Sequence, residues 1–464
     1  MSSLLLMLGN VLQASAPYNG GFEDGLDGWL VGDAMSEATA DAAHSGKQGL
    51  RVVDNDKQHG SGLHSGRYAV RAGQEITVSF DAKADANFLG VYIWPVDAND
   101  KLVGNGKSRG NGIESVAVKS GDGSWKHYSV SQVMPEGAVA FSIWVHSWSS
   151  ATGTSWLDNF EITGLAEGAQ PLQRLEEMQA ASQAAIQRNE ARLAKIAKQE
   201  QIPETLPERA QPPVIILKLD DLRQIDGQAH HLWTKVSDYM TKRNIKHGIG
   251  IITETLEVAS PDYIEWIQQR QESGLVEIWF HGWDHGVWKD ADGRKRSEFS
   301  GRSEAEQHER FAKSQALAKE KLGFALQTFG PGGGGSGAHQ DEATAKAMAE
   351  DPDMRVWLYP SPIDEMGRSL AAEGKVTVLD RVWAVNLEAS VGQPNYKRFV
   401  AGYAKNSDRE YFVLQGHPMH WGGARWSEFE KIIDFLVEQE AVFMTPAEYA
   451  ASLDGKPAQQ VAQR

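Results

Sequence analysis

The pattern of apolar and polar positions changes along the 464-residue chain, and its first part alternates with a period of two. Between residues 17 and 165, runs such as QEITVSFDAKA, NFLGVYIWPV and AVAFSIWVHSW are separated by Gly, Ser, Asp and Asn. Such alternation buries one face of a β-strand and leaves the other face polar. Several strands of this kind between turn residues predict an antiparallel β-sandwich over 17–165.

The next segment, 166–211, has a helical pattern that is followed by a break. Its first part is rich in Ala, Glu, Gln and Arg, and apolar residues recur there at roughly helical spacing: Leu172, Leu175, Met178, Ile186, Leu193 and Ile196. Four prolines in IPETLPERAQPP then end the helix. We therefore predict a connecting helix and a linker between two domains.

From Val214 onward, short apolar strands alternate with amphipathic helices. The predicted strands are VIILKL, HGIGII, VEIWF, LQTFG, MRVWLY, KVTVLD, YFVLQG and AVFMT, and helical patterns occupy 230–243, 261–272, 303–322, 341–350 and 427–439. Continuous apolar strands joined by helices indicate a parallel sheet that is covered on both faces. The number of units favours an irregular (β/α) barrel of about seven units over 212–455, with 456–464 as a tail.

Polar residues or glycines follow four of these strands, where a parallel barrel places its functional groups. They are Asp220-Asp221 after VIILKL, His281 and His285 after VEIWF, Gly330-Pro331-Gly332 after LQTF, and His417 after YFVLQG. Because the carboxyl ends of parallel strands meet at one mouth, we expect these side chains to lie close together.

The residue types at this mouth suit a metal-dependent hydrolytic site. Two neutral imidazoles and one carboxylate are a common ligand set for a catalytic divalent metal that keeps an open position. A second carboxylate would accept a proton, and a further histidine would return one. Each element also has a simpler explanation, because an Asp-Asp pair often caps a helix and a His-x₃-His pair often lies on the surface or in a core. Their coincidence at three strand ends favours a shared site.

These motifs resemble those of the polysaccharide deacetylases, carbohydrate esterase family 4. LKLDDL is similar to the first motif of the family, FHGWDHG to the second and VLQGHP to a late motif. The resemblance covers about 214–450 and implies an irregular (β/α) barrel. It further implies that Asp220 is the general base and His417 the general acid. The implied ligands of a divalent metal, usually zinc, are Asp221, His281 and His285.

One motif departs from the family pattern. Where the family carries an arginine and an aromatic residue near a proline, this chain has TFGPGGGGSGAHQDE. The group that orients Asp220 is therefore not identified by the resemblance. The glycine run is compatible with an open cleft, with backbone N–H donors for an oxyanion, or with a flexible loop. The long segment after FHGWDHG, up to Ser303, is expected to form a lid or a subsite wall.

The sandwich has a resemblance of its own. NGGFEDGLDGWLV, SGKQGLRV and SWLDNFEITG are similar to segments of carbohydrate-binding modules with a jelly-roll fold. That family often holds a structural calcium, and the matching positions here are Glu23 and Asp158, whose carboxylates suit calcium. The alternative is that both residues cap turns. For sugar stacking we expect Trp94, Trp144 and Trp148, whereas Trp29 and Trp156 are assigned to the core.

Composition narrows the class of protein further. A formal net charge of −16 disfavours non-specific binding to nucleic acid or to an anionic membrane, and the absence of cysteine excludes thiolate zinc sites and cysteine nucleophiles. An apolar run ends at Ala14-Ser15-Ala16, which has the form of a signal-peptidase site, so 1–16 is a predicted signal peptide and the protein is expected to be secreted or periplasmic. Later stretches lack the length of apolar sequence that a membrane span needs.

Taken with the resemblance, these features predict a metal-dependent deacetylase acting on a polysaccharide or oligosaccharide. Trp283, Trp288, Trp421 and Trp426 lie near the motifs and are expected to line sugar subsites or to pack the barrel. Two rival hypotheses remain at this level: a glycan-cleaving lyase or hydrolase on the same barrel, and a non-catalytic glycan-binding protein. The sequence does not specify the polysaccharide, the type of acetyl linkage or the oligomeric state.

Overall fold

The structure is a computed structural model, and it describes residues 17–56, 59–104, 113–148, 151–166, 168–333, 340–358 and 365–453. The chain divides into two compact units, Met1–Ile196 and Ala197–Arg464, which we describe separately. The predicted signal peptide at 1–16 and the predicted tail at 456–464 lie outside the described residues. In the described part of the chain, no helix combines the length and the apolarity that crossing a bilayer requires.

The first unit is a sandwich of two antiparallel sheets, as the alternating pattern predicted. Its strands are β1 (Trp29–Val31), β2 (Ser36–Thr39), β3 (Gly49–Asp54), β4 (Gly62–Ser65), β5 (Tyr68–Ala69), β6 (Glu75–Ala84), β7 (Leu89–Val96), β8 (Ser115–Val118), β9 (Lys126–Val133), β10 (Ala140–Ser147) and β11 (Gly153–Thr163). One sheet has the order β1-β4-β10-β7-β8, with β5 also paired to β10. The other has the order β2-β3-β11-β6-β9.

The core of the sandwich follows from the alternation. In β6, every second residue from Ile76 to Ala84 is buried, because period-two side chains point to one face. Trp29 is buried against Phe22 and Phe160, which confirms its assignment to the core. Trp156 is different: it is only partly buried, its Nε1 lies 3.4 Å from an Asp41 carboxylate oxygen, and its ring is near Lys83. The assignment of Trp156 to the core was wrong, because it points away from its buried neighbour Leu157 on the same strand.

Helix α1 (Leu175–Gln199) follows the sandwich, and its first half packs on it. Met178 and Ser182 are the buried residues of this helix. The Ser182 hydroxyl accepts a hydrogen bond of 3.0 Å from the backbone N–H of Val31 in β1. The beginning of the predicted connector is therefore packed against the sandwich rather than solvated on all sides.

The second unit is a parallel α/β barrel. The hydrogen bonds between the described strands do not close it completely. Its main strands are β12 (Val214–Leu222), β15 (His247–Ile251), β16 (Val276–Phe280), β19 (Thr328–Phe329), β20 (Val356–Leu358), β21 (Thr377–Leu379), β24 (Tyr411–Gly416) and β25 (Val442–Phe443). They follow the order β21-β20-β19-β16-β15-β12-β24, with β25 also on β12, and all pairs are parallel. Among described residues, no pairing joins β21 to β24. The predicted irregular (β/α) barrel is confirmed.

The helices and small hairpins of this unit complete the framework. The helices are α2 (His231–Lys242), α3 (Pro261–Glu272), α4 (Glu304–Leu322), α5 (Glu342–Glu350), α6 (Glu365–Ala372), α7 (Tyr396–Ala404), α8 (Ala424–Glu438) and α9 (Pro446–Leu453). The hairpin strands are β13 (Gln224–Ile225), β14 (Gln228–Ala229), β17 (Val287–Lys289), β18 (Lys295–Ser297), β22 (Glu388–Ser390) and β23 (Gln393–Pro394). Short 3₁₀ helices lie at Ala40–Ala42, Thr253–Leu256 and Pro418–His420.

Local sequence explains where several of these elements begin. Ser303 and Glu306 form a capping box that starts α4, and Ser260 followed by Pro261 starts α3. Every residue of β15 and of β16 is buried, as expected for central strands of a sheet with both faces covered. This packing fixes the carboxyl ends of β12, β16 and β24 at the same edge of the barrel.

Candidate metal centre and catalytic site

Asp220 and Asp221 end strand β12 in different environments. Asp220 is 1% exposed, whereas Asp221 has a backbone φ of 73° and a partly exposed side chain. The pairing with β15 shifts register between Leu219 and Leu222, so the strand bulges at these two residues. A left-handed conformation is uncommon for residues other than glycine and costs on the order of 1–3 kcal/mol, which packing around it must offset. The bulge lets the two adjacent carboxylates serve different partners.

Asp221, His281 and His285 form the cluster whose geometry suits a metal. His281 Nε2 lies 3.1 Å from Asp221 Oδ1, and His285 Nε2 lies 3.3 Å from the same oxygen. One candidate ligand atom from each residue lies within 4.8 Å of the others. Two ligand atoms about 2.0–2.1 Å from a tetrahedral zinc are roughly 3.3–3.4 Å apart, which is close to these separations. The three residues therefore fit a divalent metal.

Backbone contacts orient both histidines. His281 Nδ1 lies 2.8 Å from the carbonyl oxygen of Gly330, and because a carbonyl only accepts, Nδ1 carries the proton. Its Nε2 is then the nitrogen with the lone pair, as a metal ligand requires. At Gly332, a Cβ would come within 2.4 Å of His285 Cδ2. The absence of a side chain at Gly332 thus allows the close approach of His285, while residues 334–339 of the glycine run lie outside the described residues.

A buried carboxylate, Glu298, holds the turn that carries the histidines. Its oxygens accept hydrogen bonds from the backbone N–H of Trp283 at 2.6 Å and of His285 at 2.9 Å. Burial and the nearby charge of Asp284 raise the pKa of Glu298, against the opposing effects of the Trp283 hydrogen bond and of Arg310, which lies 3.0 Å away. Glu298 comes from the long segment after the second motif, which also forms the β17–β18 hairpin. That segment supports the site, and its role as a lid or subsite wall remains a prediction.

A lysine from the same strand contacts Asp220. Lys218 is fully buried, and its Nζ lies 2.6 Å from both carboxylate oxygens of Asp220. Gln415 in β24 donates from Nε2 to Asp220 Oδ2 at 2.6 Å, and its own side-chain oxygen accepts from Arg381. Burial disfavours the charge on Asp220, but the nearby Lys218 keeps the pKa of that carboxyl below its ordinary value. Lys218 is thus a buried cation that holds Asp220 in place.

His417 is paired with a carboxylate on the other side of the mouth. Its Nδ1 lies 2.7 Å from Glu388 Oε2, and its backbone N–H donates to Glu388 Oε1. Burial favours the neutral ring, yet the hydrogen bond to Glu388 and the charges of Asp220, Glu388 and Asp221 together raise the pKa of His417 above its ordinary value. Such a histidine can hold a proton and deliver it to a group in the cleft.

The tryptophans near the motifs are mostly buried. Trp421 is 0% exposed, stacks on Phe429 and donates from Nε1 to Glu388, so its predicted contact with substrate was wrong. Trp283 is 9% exposed beneath the ammonium of Lys313, and Trp288 is partly buried near Arg302. These two remain predicted subsite residues. Trp383, after strand β21, combines a large aromatic ring with an exposure of 64%.

The predicted calcium ligands hold a loop of the sandwich. Asp158 Oδ2 accepts from the backbone N–H groups of His44 and Ser45, and Glu23 accepts from that of Lys47. These contacts support the alternative that both carboxylates fix turns. In the described residues, the group of three candidate metal ligands contains neither of them. Calcium at Glu23 and Asp158 therefore stays a prediction.

Partly exposed aromatic residues cover the outer face of the β1-β4-β10-β7-β8 sheet. Trp144 and Trp94 have ring centroids 4.8 Å apart, and His64 stacks on Trp144 at 5.6 Å. Burial lowers the pKa of His64 to about 4, so its ring is neutral at physiological pH. Trp148 donates from Nε1 to the Tyr92 hydroxyl. The three tryptophans expected to stack on sugar, Trp94, Trp144 and Trp148, are thus gathered on one side of the sandwich.

Four polar residues of the candidate site were not predicted from the sequence: Lys218, Glu298, Glu388 and Gln415. The sequence does indicate that Lys218 lies near Asp220, because it stands two residues before Asp220 in an apolar strand and therefore on the same face. Gln415 likewise interrupts the apolar run YFVLQG. The two glutamates lie in hairpin segments, where no periodicity indicates the direction of a side chain.

Comparison with known proteins identifies a family for the first part of the chain. Residues 14–152 match the sequence model of the family described as "Carbohydrate binding domain". None of the curated proteins is significantly similar to the chain. Among solved structures, a family 16 carbohydrate-binding module-2 has 18% identity and a TM-score of 0.26 and covers 32% of this chain and 99% of its own.

Two further solved structures are similar to the chain over about half its length. The Xyl-CE4 domain of a multidomain xylanase from the hindgut metagenome of Trinervitermes trinervoides has 12% identity and a TM-score of 0.35, covering 53% of this chain and 94% of its own. A family 4 acetyl xylan esterase from Clostridium thermocellum, in complex with a cobalt ion, has 16% identity and a TM-score of 0.34, covering 54% and 96%. The family match over 14–152 confirms the predicted resemblance of the first unit to carbohydrate-binding modules.

Proposed function

We propose that this chain is a metal-dependent polysaccharide deacetylase that also binds its glycan through the N-terminal sandwich. The observation that carries the proposal is the convergence of Asp221, His281 and His285 at one end of the barrel, beside the buried Asp220. A metal held by three protein ligands of this kind keeps one coordination position open for water or substrate, whereas a structural metal site is filled by four protein ligands. Export of the protein from the cytoplasm, inferred from residues 1–16, is part of the same proposal.

The chain supplies the ligands and the acid–base groups. Asp221, His281 and His285 would hold the metal, most simply zinc, because mixed nitrogen and oxygen ligands suit it. When bound, the metal would supply Lewis acidity toward the acetyl carbonyl and the attacking water. The ring orientation imposed by Gly330 and the turn held by Glu298 keep the two histidines in position for this role.

Asp220 is the proposed general base. Its carboxylate accepts the proton that water loses as the new carbon–oxygen bond forms on the acetyl carbon. Lys218 and Gln415 fix the carboxylate and favour its ionised form. The His281 Nε2 atom lies 3.8 Å from Asp220 Oδ2, so the base is adjacent to the proposed metal ligands without sharing their position.

His417 is the proposed general acid. As the bond between the acetyl carbon and the sugar nitrogen or oxygen breaks, His417 gives its proton to the departing sugar group, and acetate is released. Glu388 accepts the hydrogen bond from Nδ1 and stabilises the protonated ring. Nε2 is then the nitrogen that can face the substrate.

The experiment that tests the catalytic proposal compares two neighbouring aspartates. Acetate release is measured on a panel of acetylated glycans, together with the metal content and the chain length of the products. For Asp220→Asn we expect retained metal and a loss of turnover on the order of 10²–10⁴, because only the proton acceptor is removed. For Asp221→Asn we expect reduced metal content, with activity partly restored by excess metal.

Four results would count against these assignments. Exchanged phenotypes would mean that base and ligand roles are reversed. Acetate release unaffected by either substitution would refute the site itself. Products of shorter chain length without free acetate would identify a glycan-cleaving enzyme, and wild-type protein without bound metal or product would favour the non-catalytic glycan-binding protein.

The sugar-binding proposal rests on the aromatic face that carries Trp94 and Trp144. Aromatic faces stack on the apolar faces of pyranose rings, and the neutral His64 beside them adds no charge that would demand an ionic ligand. Trp144→Ala should weaken glycan binding about tenfold or more. Trp156→Ala is the matched control, because Trp156 is equally a partly buried tryptophan but lies on the outer side of the opposite sheet. Equal losses for the two variants would contradict the assignment.

A further inference from the structure

The outer face of the β1-β4-β10-β7-β8 sheet carries a row of side chains that runs across all five strands. Strand register places Leu30 opposite His64, His64 opposite Trp144, Trp144 opposite Tyr92, and Tyr92 opposite Ser115. Directly opposed residues on one face of a sheet lie about 4.5–5.5 Å apart, so the row is continuous. It forms a floor of mainly aromatic side chains on which a glycan can lie.

Helix α1 stands at the β1 end of this row. The segment leading into the helix is tied to the strand β4 region, because Leu172 N–H donates to the carbonyl of Arg67 and the Gln173 side chain accepts from Arg67 N–H, each at 2.7 Å. Further along, Ser182 accepts from Val31 N–H. Gly66 packs so closely that an added Cβ would lie 2.7 Å from Pro171 Cβ. The helix is therefore anchored on the sheet at two points.

A cleft of about 430 Å³ lies where the helix meets the row, within the usual range of roughly 300–1,000 Å³ for ligand sites. The sheet contributes His64, Trp94 and Ser142 to its lining, and the helix segment contributes Gln173, Glu177 and Ala181. The lining also includes Arg67 and Asp100, which form an ion pair with each other. Polar groups thus surround an aromatic floor, an arrangement that suits a hydroxyl-rich ligand. The helix supplies one complete side of the cleft.

We propose that helix α1 is a wall of the sugar-binding site and that the site therefore takes the end of a glycan chain. A glycan lying along the row meets Ala181 and Glu177 at the β1 end, so its terminal sugar rests against the helix. The Glu177 carboxylate accepts hydrogen bonds from the hydroxyl groups of that terminal unit. This inference rests on the sugar-binding role proposed above for the sandwich, and it makes the segment after the sandwich part of the binding site.

The test uses the full chain carrying Asp220→Asn, so that turnover does not alter the ligands. Binding is measured by calorimetry with β-1,4-linked oligosaccharides of glucose, of xylose and of N-acetylglucosamine, each from two to six units long. For the series that binds, we expect the affinity to stop rising at about three units, because only the terminal units contact the cleft. Ala181→Trp fills the closed end and should weaken binding about tenfold or more.

Ala180→Trp is the matched control, since Ala180 is exposed on the same turn of the helix but does not line the cleft. Thermal unfolding of both variants shows whether the fold is kept, and Glu177→Ala gives a second probe without added bulk, with a loss of several-fold expected. Affinity that keeps rising to six units, or equal effects of Ala181→Trp and Ala180→Trp, would overturn the helix wall while leaving sugar binding intact. Absence of binding to all three series would overturn the sugar-binding proposal as well.

Discussion

Replacing Lys218 by Met should expose how far the active site depends on one buried charge. Lys218 is 0% and Asp220 1% exposed, so the substitution leaves a carboxylate in the barrel without its cation. Removing one partner of a buried ion pair costs about 3–5 kcal/mol in the free energy of unfolding. Gln415 still donates one hydrogen bond to Asp220, so we expect a loss near 3 kcal/mol. Turnover should fall by a factor on the order of 10²–10⁴, because the base loses its fixed position.

The double variant Lys218→Met, Asp220→Asn separates positioning from general stability. With the unpaired charge removed, most of the lost stability should return, since replacing both partners by neutral groups is often nearly neutral. Its rate should equal that of Asp220→Asn alone. Urea unfolding and acetate release are measured for all four forms. The exposed pair Lys319–Asp353 provides a control, because Lys319→Met should change stability far less. If Lys218→Met lowers the rate equally in both backgrounds, Lys218 does not act through Asp220 and the reasoning fails.

Three further predictions follow from individual contacts. Gly332→Ala should lower the metal content, because the new Cβ would displace His285, whereas Gly422→Ala, with nothing within 4 Å of its added Cβ, should not; equal metal content would contradict the packing argument. Glu388→Gln should reduce turnover by a factor on the order of 10²–10⁴ with the metal retained, because the neutral amide no longer stabilises protonated His417; an unchanged rate would exclude His417 as the acid. Glu277 is buried, and burial raises the pKa of its carboxyl above the value in the unfolded chain. The contribution of this group to the stability of the fold is therefore lost as the pH rises from its pKa in the unfolded chain to its pKa in the folded protein. Glu277→Gln should therefore stabilise the protein at neutral pH, with a gain that shrinks in acid; thermal unfolding of both forms at several pH values would reveal the opposite trend if it occurred.

Local periodicity was sufficient for the architecture of both units. The alternation in EITVSFDAKA specifies which residues of β6 face the sandwich core, and the largely apolar runs VIILKL and VEIWF specify strands buried on both faces. Because parallel strands share one carboxyl edge, the same runs also predicted that Asp221, His281 and His285 would meet. These features depend on backbone geometry that repeats every two residues, and short stretches of sequence contain it completely.

The partners of the site residues were decided by tertiary contacts. Glu298 and Glu388 reach the site from hairpin segments, and Trp421 is buried because Phe429 and Glu388 surround it, although it follows a motif in sequence. The role of α1 in the cleft likewise depends on where its first half packs, and its amphipathic spacing alone is equally compatible with a free connector. Periodicity determines the face of a strand on which a side chain lies. Which atoms that side chain contacts depends on chain segments that are far apart in sequence. For this protein, the sequence by itself determined the strands and the strand ends at which Asp221, His281 and His285 lie, and only the folded chain determined what holds these side chains.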